Sequence, residues 1–324
     1  MNAQVAPLSL ASRGSSEVLE HADGSASILV SEQLAGHYDR DEQALWIRWS
    51  PRGVPSFNPD LLHDLERASN MVEGHFLGFE IQRPLRHIVL GSAIPGAFSV
   101  GGDLGYFQRL IVAQDRTRLT EYARAAVNVI YNNFVAHNLR GVTMVALLEG
   151  DALGGGLECA LSCDVVVAER HVKAGFPEIL FNLFPGMGGM SFLARRVSRA
   201  VAEEMVRSGR QYTALELREL GLVDEVAERG HGRATVLRLM RRREHQAQGH
   251  AAISAVDRLI RPITRQELHD VVRLWVDCAL QLSPRGLEWM QRLYQRQLAI
   301  FGTYPADATV ESSQYGTGDV AAAA

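Results

Sequence analysis

Residues 147–180 read LLEGDALGGGLECALSCDVVVAERHVKAGFPEIL. The stretch leading in, RGVTMVALLEG (140–150), is an almost unbroken apolar run, the pattern of a strand covered on both faces of a parallel sheet. Gly154, Gly155 and Gly156 end that run. A short helix over about 155–163 and a second apolar strand, DVVVAE, follow. Strand, glycine turn, helix and buried strand in this order read as an α/β fold. A strand that ends in glycines and opens into a helix leaves backbone N–H groups free at the helix start. Two acids, Glu158 and Glu178, stand in segments that otherwise read as interior.

The same alternation extends upstream. ALWIRWS (44–50) places Leu45, Ile47 and Trp49 on one face of a strand. Asn58-Pro59-Asp60 reads as an N-cap followed by proline at the first helical position, opening a helix to about Met71. RHIVLGS (86–92) is a further strand, ended by GSAIPGAFSVGGD. A helix after Gly102 and a long one over roughly 117–138 come next. Downstream the chain turns helical, with capping boxes at Thr213-x-x-Glu216 and Thr264-x-x-Glu267 and a Ser283-Pro284 start. The expected organisation is a polar lead-in over 1–35, a core over 36–230, a helical region over 231–302 and a disordered tail over 303–324.

Composition narrows the classes. The chain has 324 residues, enough for a sizeable core, with 47% hydrophobic and 22% charged residues. No apolar run reaches the roughly 20 residues that span a bilayer, so no membrane partner is expected. A net charge of −4 argues against a general nucleic-acid binder. The N-terminal stretch lacks a cationic head and an apolar core, so it does not read as an export signal. Cys159, Cys163 and Cys278 show no metal-ligand or redox spacing and read as plain thiols of a reducing cytoplasm. No metal is expected.

The glycine triplet fails two familiar tests. No Gly-Lys-Ser/Thr follows it, and counting from Gly154 the third glycine of a dinucleotide fingerprint would fall on Cys159. A third use remains: an N–H at the strand–helix junction can hold a carbonyl oxygen as it becomes an oxyanion. FSVGGDL (98–104) is the natural source of a second donor. A thioester carbonyl polarised in this way acidifies its α-carbon. Two carboxyls could then remove the α-proton and exchange a proton with a β-hydroxyl or water. Sharing an apolar pocket, they would not both ionise near neutral pH, which divides them into acid and base.

LEGDALGGGLECALSCDVVVAE, KAGFPEILFNLFPGMGG, the Gly-Gly-Asp-Leu stretch at 101–104 and ALELRELGLVDEV (214–226) together resemble the enoyl-CoA hydratase/isomerase (crotonase) superfamily. The resemblance covers roughly residues 36–300. It implies a crotonase-like ββα superhelix core, with a helical C-terminal region that closes an acyl pocket, and a homo-oligomer, a trimer or hexamer. It also implies oxyanion donors at Gly102 and Gly155, catalytic acids at Glu158 and Glu178, and a water-positioning backbone at Gly186. Trp275 and Leu280, in the C-terminal helical region, read as core or as acyl-pocket lining.

Within the superfamily, FPEILFNLFPGMGGMSFLARRVSRAVAEEM and RLWVDCALQL resemble the bacterial diffusible-signal-factor synthases. That likeness implies dehydration of a 3-hydroxyacyl thioester to the cis-2-enoyl thioester, followed by hydrolysis to a free cis-2-unsaturated acid, a cell-to-cell signal. The substrate would be carried by acyl carrier protein or coenzyme A, with no other cofactor, and a sensor kinase is an implied partner. An ordinary catabolic hydratase without the hydrolytic step is the nearest alternative, and a pure binding protein the next.

Other polar residues read as structural. His87, His137 and His171 are expected at element ends without chemistry. Asp103 reads as a helix cap and Asp164 as a turn stabiliser. The basic run LRLMRRRE (237–244), including Arg241, Arg242 and Arg243, reads as a solvated helix face, with carrier docking as the rarer use.

Overall fold

The structure is a computed structural model that describes residues 17–21, 24–76 and 84–302. Its strands are β1 (Glu17–Glu20), β2 (Ala26–Ser31), β3 (Leu34–Asp39), β4 (Ala44–Trp49), β5 (His87–Ser92) and β6 (Gly96–Ser99). They continue with β7 (Thr143–Leu148), β8 (Gly150–Leu153), β9 (Val165–Glu169), β10 (Lys173–Gly175), β11 (Gln211–Thr213) and β12 (Glu225–Ala227). The helices are α1 (Pro59–Phe76), α2 (Leu104–Val112), α3 (Arg116–Phe134), α4 (Gly155–Leu161), α5 (Gly189–Arg196) and α6 (Arg199–Ser208). The C-terminal part adds α7 (Ala214–Glu219), α8 (Gly232–Arg243), α9 (Ala247–Ile260), α10 (Arg265–Leu280) and α11 (Pro284–Phe301).

The main sheet runs β1-β2-β3-β4-β5-β7-β9-β12 and a smaller one runs β11-β10-β8-β6. The first four strands of the main sheet pair antiparallel, and β4, β5, β7, β9 and β12 continue it in parallel. Strands β5 and β7 each feed directly into a strand of the second sheet, β6 and β8. This strand–strand–helix repeat is the crotonase-like α/β fold, and the helices from α8 onward form the expected helical C-terminal region. The predicted double coverage of β7 is met: five of its six residues are buried, and all of β9 is.

The caps fold as the sequence demands. Asn58 Oδ1 accepts from Leu61 N–H at 2.8 Å, starting α1 at Pro59. Thr213 and Glu216 close a full capping box on α7. At α10, Thr264 caps the Glu267 N–H, but the Glu267 carboxylate takes a two-point ion pair with Arg195 instead of closing the box.

The lead-in expected over 1–35 is in part regular: β1 and β2, and the start of β3, lie within it. These strands form one end of the main sheet and carry a register shift between Leu29 and Ser31. In β3 only Leu34 and Tyr38 are buried, and with Gly36 between them the alternation is too faint to read. The predicted tail over 303–324 lies outside the described residues. Among the described residues, no helix is long and apolar enough to cross a membrane.

Candidate active site

Strands β6 and β8 run parallel and end side by side. Gly154 follows β8 directly, and Gly101 stands two residues beyond the end of β6. Gly101 has φ +98°, and a Cβ there would stand 3.0 Å from the Leu153 carbonyl and 3.2 Å from the Gly155 nitrogen. A Cβ on Gly155 would lie 3.6 Å from the Gly102 nitrogen. The two backbone segments therefore touch through atoms that no side chain separates. Neither the Gly102 N–H nor the Gly155 N–H has a protein acceptor among the described residues.

These amides border one cleft. Gly102, Gly155, Glu158, Glu178, Gly186 and Trp275 all line it. Six of the seven residues singled out in the sequence thus converge. Leu280 does not. It ends α10, half-buried against the main core. Five residues beyond Trp275 it lies roughly 140° around the helix, away from the cleft face.

Glu158 reaches the cleft from the first turn of α4 and is 1% exposed. Its Oε1 accepts from Met187 N–H at 2.8 Å and from Gly189 N–H at 2.7 Å. Burial pushes its pKa up to about 7, and the two N–H groups pull the other way. Glu178 comes from the 3-10 turn Pro177–Phe181 that follows β10. Gly154 N–H donates to Gly175 C=O at 2.8 Å, tying the end of β10 to the glycine turn. Glu178 Oε2 is shut off from solvent with no hydrogen-bond partner, although the residue as a whole is half-buried. Burial first, and then the charge of Glu158, hold its carboxyl well above the usual range.

Burial therefore keeps the pair from ionising together, and Glu158, with two donors, is the one that carries the first negative charge.

The cleft walls are apolar and aromatic. A Cβ on Gly186 would come within 2.5 Å of Trp275 Cδ1, so the indole covers that turn. Phe107 meets Trp275 at a ring separation of 5.0 Å and Tyr122 at 4.9 Å. Phe107, Tyr122, Met187 and Leu293 were not singled out from the sequence. Their apolar spacing on helices is that of ordinary core residues, so no local signal marks them.

Asp103 caps α2 as expected, its Oδ1 accepting from Tyr106 N–H at 2.9 Å. Asp164 accepts from Met144 N–H and pairs with Arg258. His87, His137 and His171 do not line the cleft; burial lowers the first two to about 4. In the basic run, Arg241 pairs with Glu42 and Arg242 with Glu225, each at 2.6 Å. Cys159 and Cys163 are free and buried, and Cys278 is free and half-buried. Among the described residues no His/Cys/Asp/Glu group could hold a metal ion.

Residues 51–274 match the family model described as enoyl-CoA hydratase/isomerase. Among curated proteins, the rat methylglutaconyl-CoA hydratase is 31% identical over 176 residues, which is 54% of this chain and 51% of that protein. The 2,3-dehydroadipyl-CoA hydratase of Escherichia coli K12 is 45% identical over 83 residues, 26% of this chain and 32% of that protein. The chain spans about half the length of the first curated relatives it matches. In solved structures, the fold resembles the Bacillus halodurans enoyl-CoA hydratase (TM-score 0.65, 21% identity, 80% of this chain and 99% of that one). It also resembles human mitochondrial delta3-delta2-enoyl-CoA isomerase (TM-score 0.67, 18% identity, 82% and 97%). At such identities these structural likenesses speak for the fold alone.

Proposed function

Because the chain belongs to the enoyl-CoA hydratase/isomerase family, we propose that it adds or removes water across the α,β-bond of an acyl thioester. The observation that carries this reading is the meeting of two buried acids and two unpaired glycine amides in one cleft. The N–H groups of Gly102 and Gly155 would hold the thioester oxygen as negative charge builds on it. In elimination, the ionised carboxyl takes the α-proton and the protonated one gives its proton to the departing β-hydroxyl. Addition runs the same steps backwards. Each turnover moves one proton onto the pair and one off, so the singly protonated state serves both directions. Trp275 over the Gly186 turn excludes bulk water from the site, leaving the reacting water to be held by that backbone.

The finer reading follows the likeness to diffusible-signal-factor synthases: dehydration of a 3-hydroxyacyl thioester, then hydrolysis to the free cis-2-unsaturated acid. The same two amides suit both steps. Water attacks the carbonyl carbon, the carboxylate takes its proton, the tetrahedral oxyanion rests in the hole, and the thiol leaves with a proton from the acid. The hydratase names of the curated relatives favour a second reading without hydrolysis.

Product analysis separates the two. Incubated with 3-hydroxyacyl thioesters on acyl carrier protein and on coenzyme A, the enzyme should release free cis-2 acid. Accumulation of the enoyl thioester alone would leave an ordinary hydratase. No dehydration, and no hydration of the enoyl thioester, would defeat both.

A further inference from the structure

We infer that Tyr122 is a positioning residue that sets the direction of the Gly102 N–H, and so tunes the oxyanion hole from outside it. The inference rests on Gly102 being one of the two donors. Gly102 lies between β6 and α2, outside any strand or helix and tied by an isolated bridge to Phe57, and glycine imposes no backbone preference of its own. A donor useful to a transition state must be fixed to within about 0.5 Å and 10–20°. Something outside the segment must therefore hold it.

Both peptide planes flanking Gly102 are tied. On one side, Phe57 N–H donates to the Gly101 carbonyl at 2.8 Å. On the other, Asp103 N–H donates to the Tyr122 hydroxyl at 3.3 Å, and that hydroxyl donates in turn to the Phe57 carbonyl. One phenol thus accepts from the Gly102–Asp103 peptide and donates to the residue that grips the Gly101–Gly102 peptide. The Tyr122 ring also backs Phe107 edge-on, at an interplanar angle of 89°. Phe107 fills the space on Gly102 that a side chain would take.

Tyr122 is 6% exposed, in the helix whose Ala123 and Ala126 line the cleft. A phenylalanine would fill the same core space without a hydroxyl to desolvate. Of the hydroxyl's two partners, the Asp103 N–H lies in the segment that bears the donor and the Phe57 carbonyl in the segment that grips it. Burial raises the phenol's pKa far above the working range, so it stays a neutral donor and acceptor.

The test is Tyr122→Phe, with Tyr106→Phe as the control on a neighbouring ring. With 3-hydroxyacyl pantetheine thioester, kcat should fall about 10–100-fold, less than or near the loss of a whole donor, while KM stays within about twofold. The direct readout is the carbonyl stretch of a bound saturated acyl pantetheine thioester, which cannot react. Wild type should shift it to lower frequency than in solution, Tyr122→Phe should move it back towards the solution value, and Tyr106→Phe should leave both readouts alone. If Tyr122→Phe does not fold, Phe107→Leu reports the same displacement.

An unchanged kcat, or a fall in kcat with the stretch still fully shifted, overturns the inference. So does a wild type that leaves the carbonyl unshifted. A wild type that polarises the carbonyl yet neither dehydrates nor hydrates its substrates would sink the proposed function while leaving the role of Tyr122 intact.

Discussion

Glu178 Oε1 occupies the place beside Gly154 where any other residue would carry its Cβ. Gly154 also has φ +52° with ψ −122°, a combination that side-chain-bearing residues avoid. The first glycine of the triplet therefore gives Glu178 its seat, while the second bears the amide proposed for the oxyanion hole. Gly154→Ala should lower kcat about 10²-fold or more by pushing the carboxyl aside, since acid–base groups must stand within hydrogen-bond reach. Kinetics alongside circular dichroism check this; a folded variant of wild-type rate contradicts it.

In the proposed reaction, replacing either acid removes one half of the proton exchange. Glu158→Gln and Glu178→Gln should each cost about 10²–10⁴-fold in kcat on a 3-hydroxyacyl thioester. The double variant should lose little more than the worse single one, because the pair acts as a unit. Multiplicative losses in the double variant would mean that the acids work independently.

The rate should follow a bell-shaped pH profile. Below about 7 both carboxyls hold protons and no base is available; the rate climbs as Glu158 ionises. It falls again at higher pH, when Glu178, raised further by burial and by Glu158, loses its proton. The two limbs belong to the pair and not to single residues. A profile already flat from pH 5 to 7 would show that Glu158 ionises near its ordinary value.

Stability should move the opposite way. Glu158 holds its proton in the folded state up to about 7, whereas unfolded it ionises near the ordinary carboxyl value of 4.5. The folded form is therefore favoured below that lower value, and the advantage is lost as pH rises through about 7. Glu158→Gln removes the ionisation and keeps an oxygen to accept from Met187 and Gly189. Its melting temperature relative to wild type should rise steadily between pH 4.5 and 7.5. A gap that stays constant over that window would mean that burial does not shift this group.

The sequence displays those parts of the molecule whose signal is local. The glycine triplet, the buried runs of β7 and β9, and the caps at Asn58, Thr213 and Ser283 can each be read within a few residues, and each stands where expected. Convergence is not local. Glu158 and Glu178 were placed together by a family likeness; the physical cause is the pairing of β10 with β8, with Ala174 opposite Ala152. Tyr122 and Phe107 are invisible for the same reason, since their partners lie on the Phe57 and Gly102 segments. Leu280, read as core or as pocket lining, packs against the core because helical phase, not proximity to Trp275, decides which residues reach the cleft.

Behind the site, Arg258 Nη2 on α9 donates to both Asp164 carboxylate oxygens, at 2.6 and 2.7 Å, and Asp164 also accepts from Met144 N–H at the start of β7. The side chains are only 21% and 12% exposed, so this is not a solvated surface pair. Burial raises the Asp164 carboxyl, and Arg258 pulls it back down. Arg258→Ala would leave that carboxyl desolvated and without its cation, at a cost of about 3–5 kcal/mol. Asp164→Asn in the same chain keeps an oxygen for Met144 N–H and removes the stranded charge. The double variant should therefore be more stable than Arg258→Ala alone, by the sign expected of directly coupled sites. Urea unfolding of the four proteins of this cycle decides it. Additive losses would mean that the pair contributes nothing beyond its separate contacts, and that α9 is held to the sheet by packing instead.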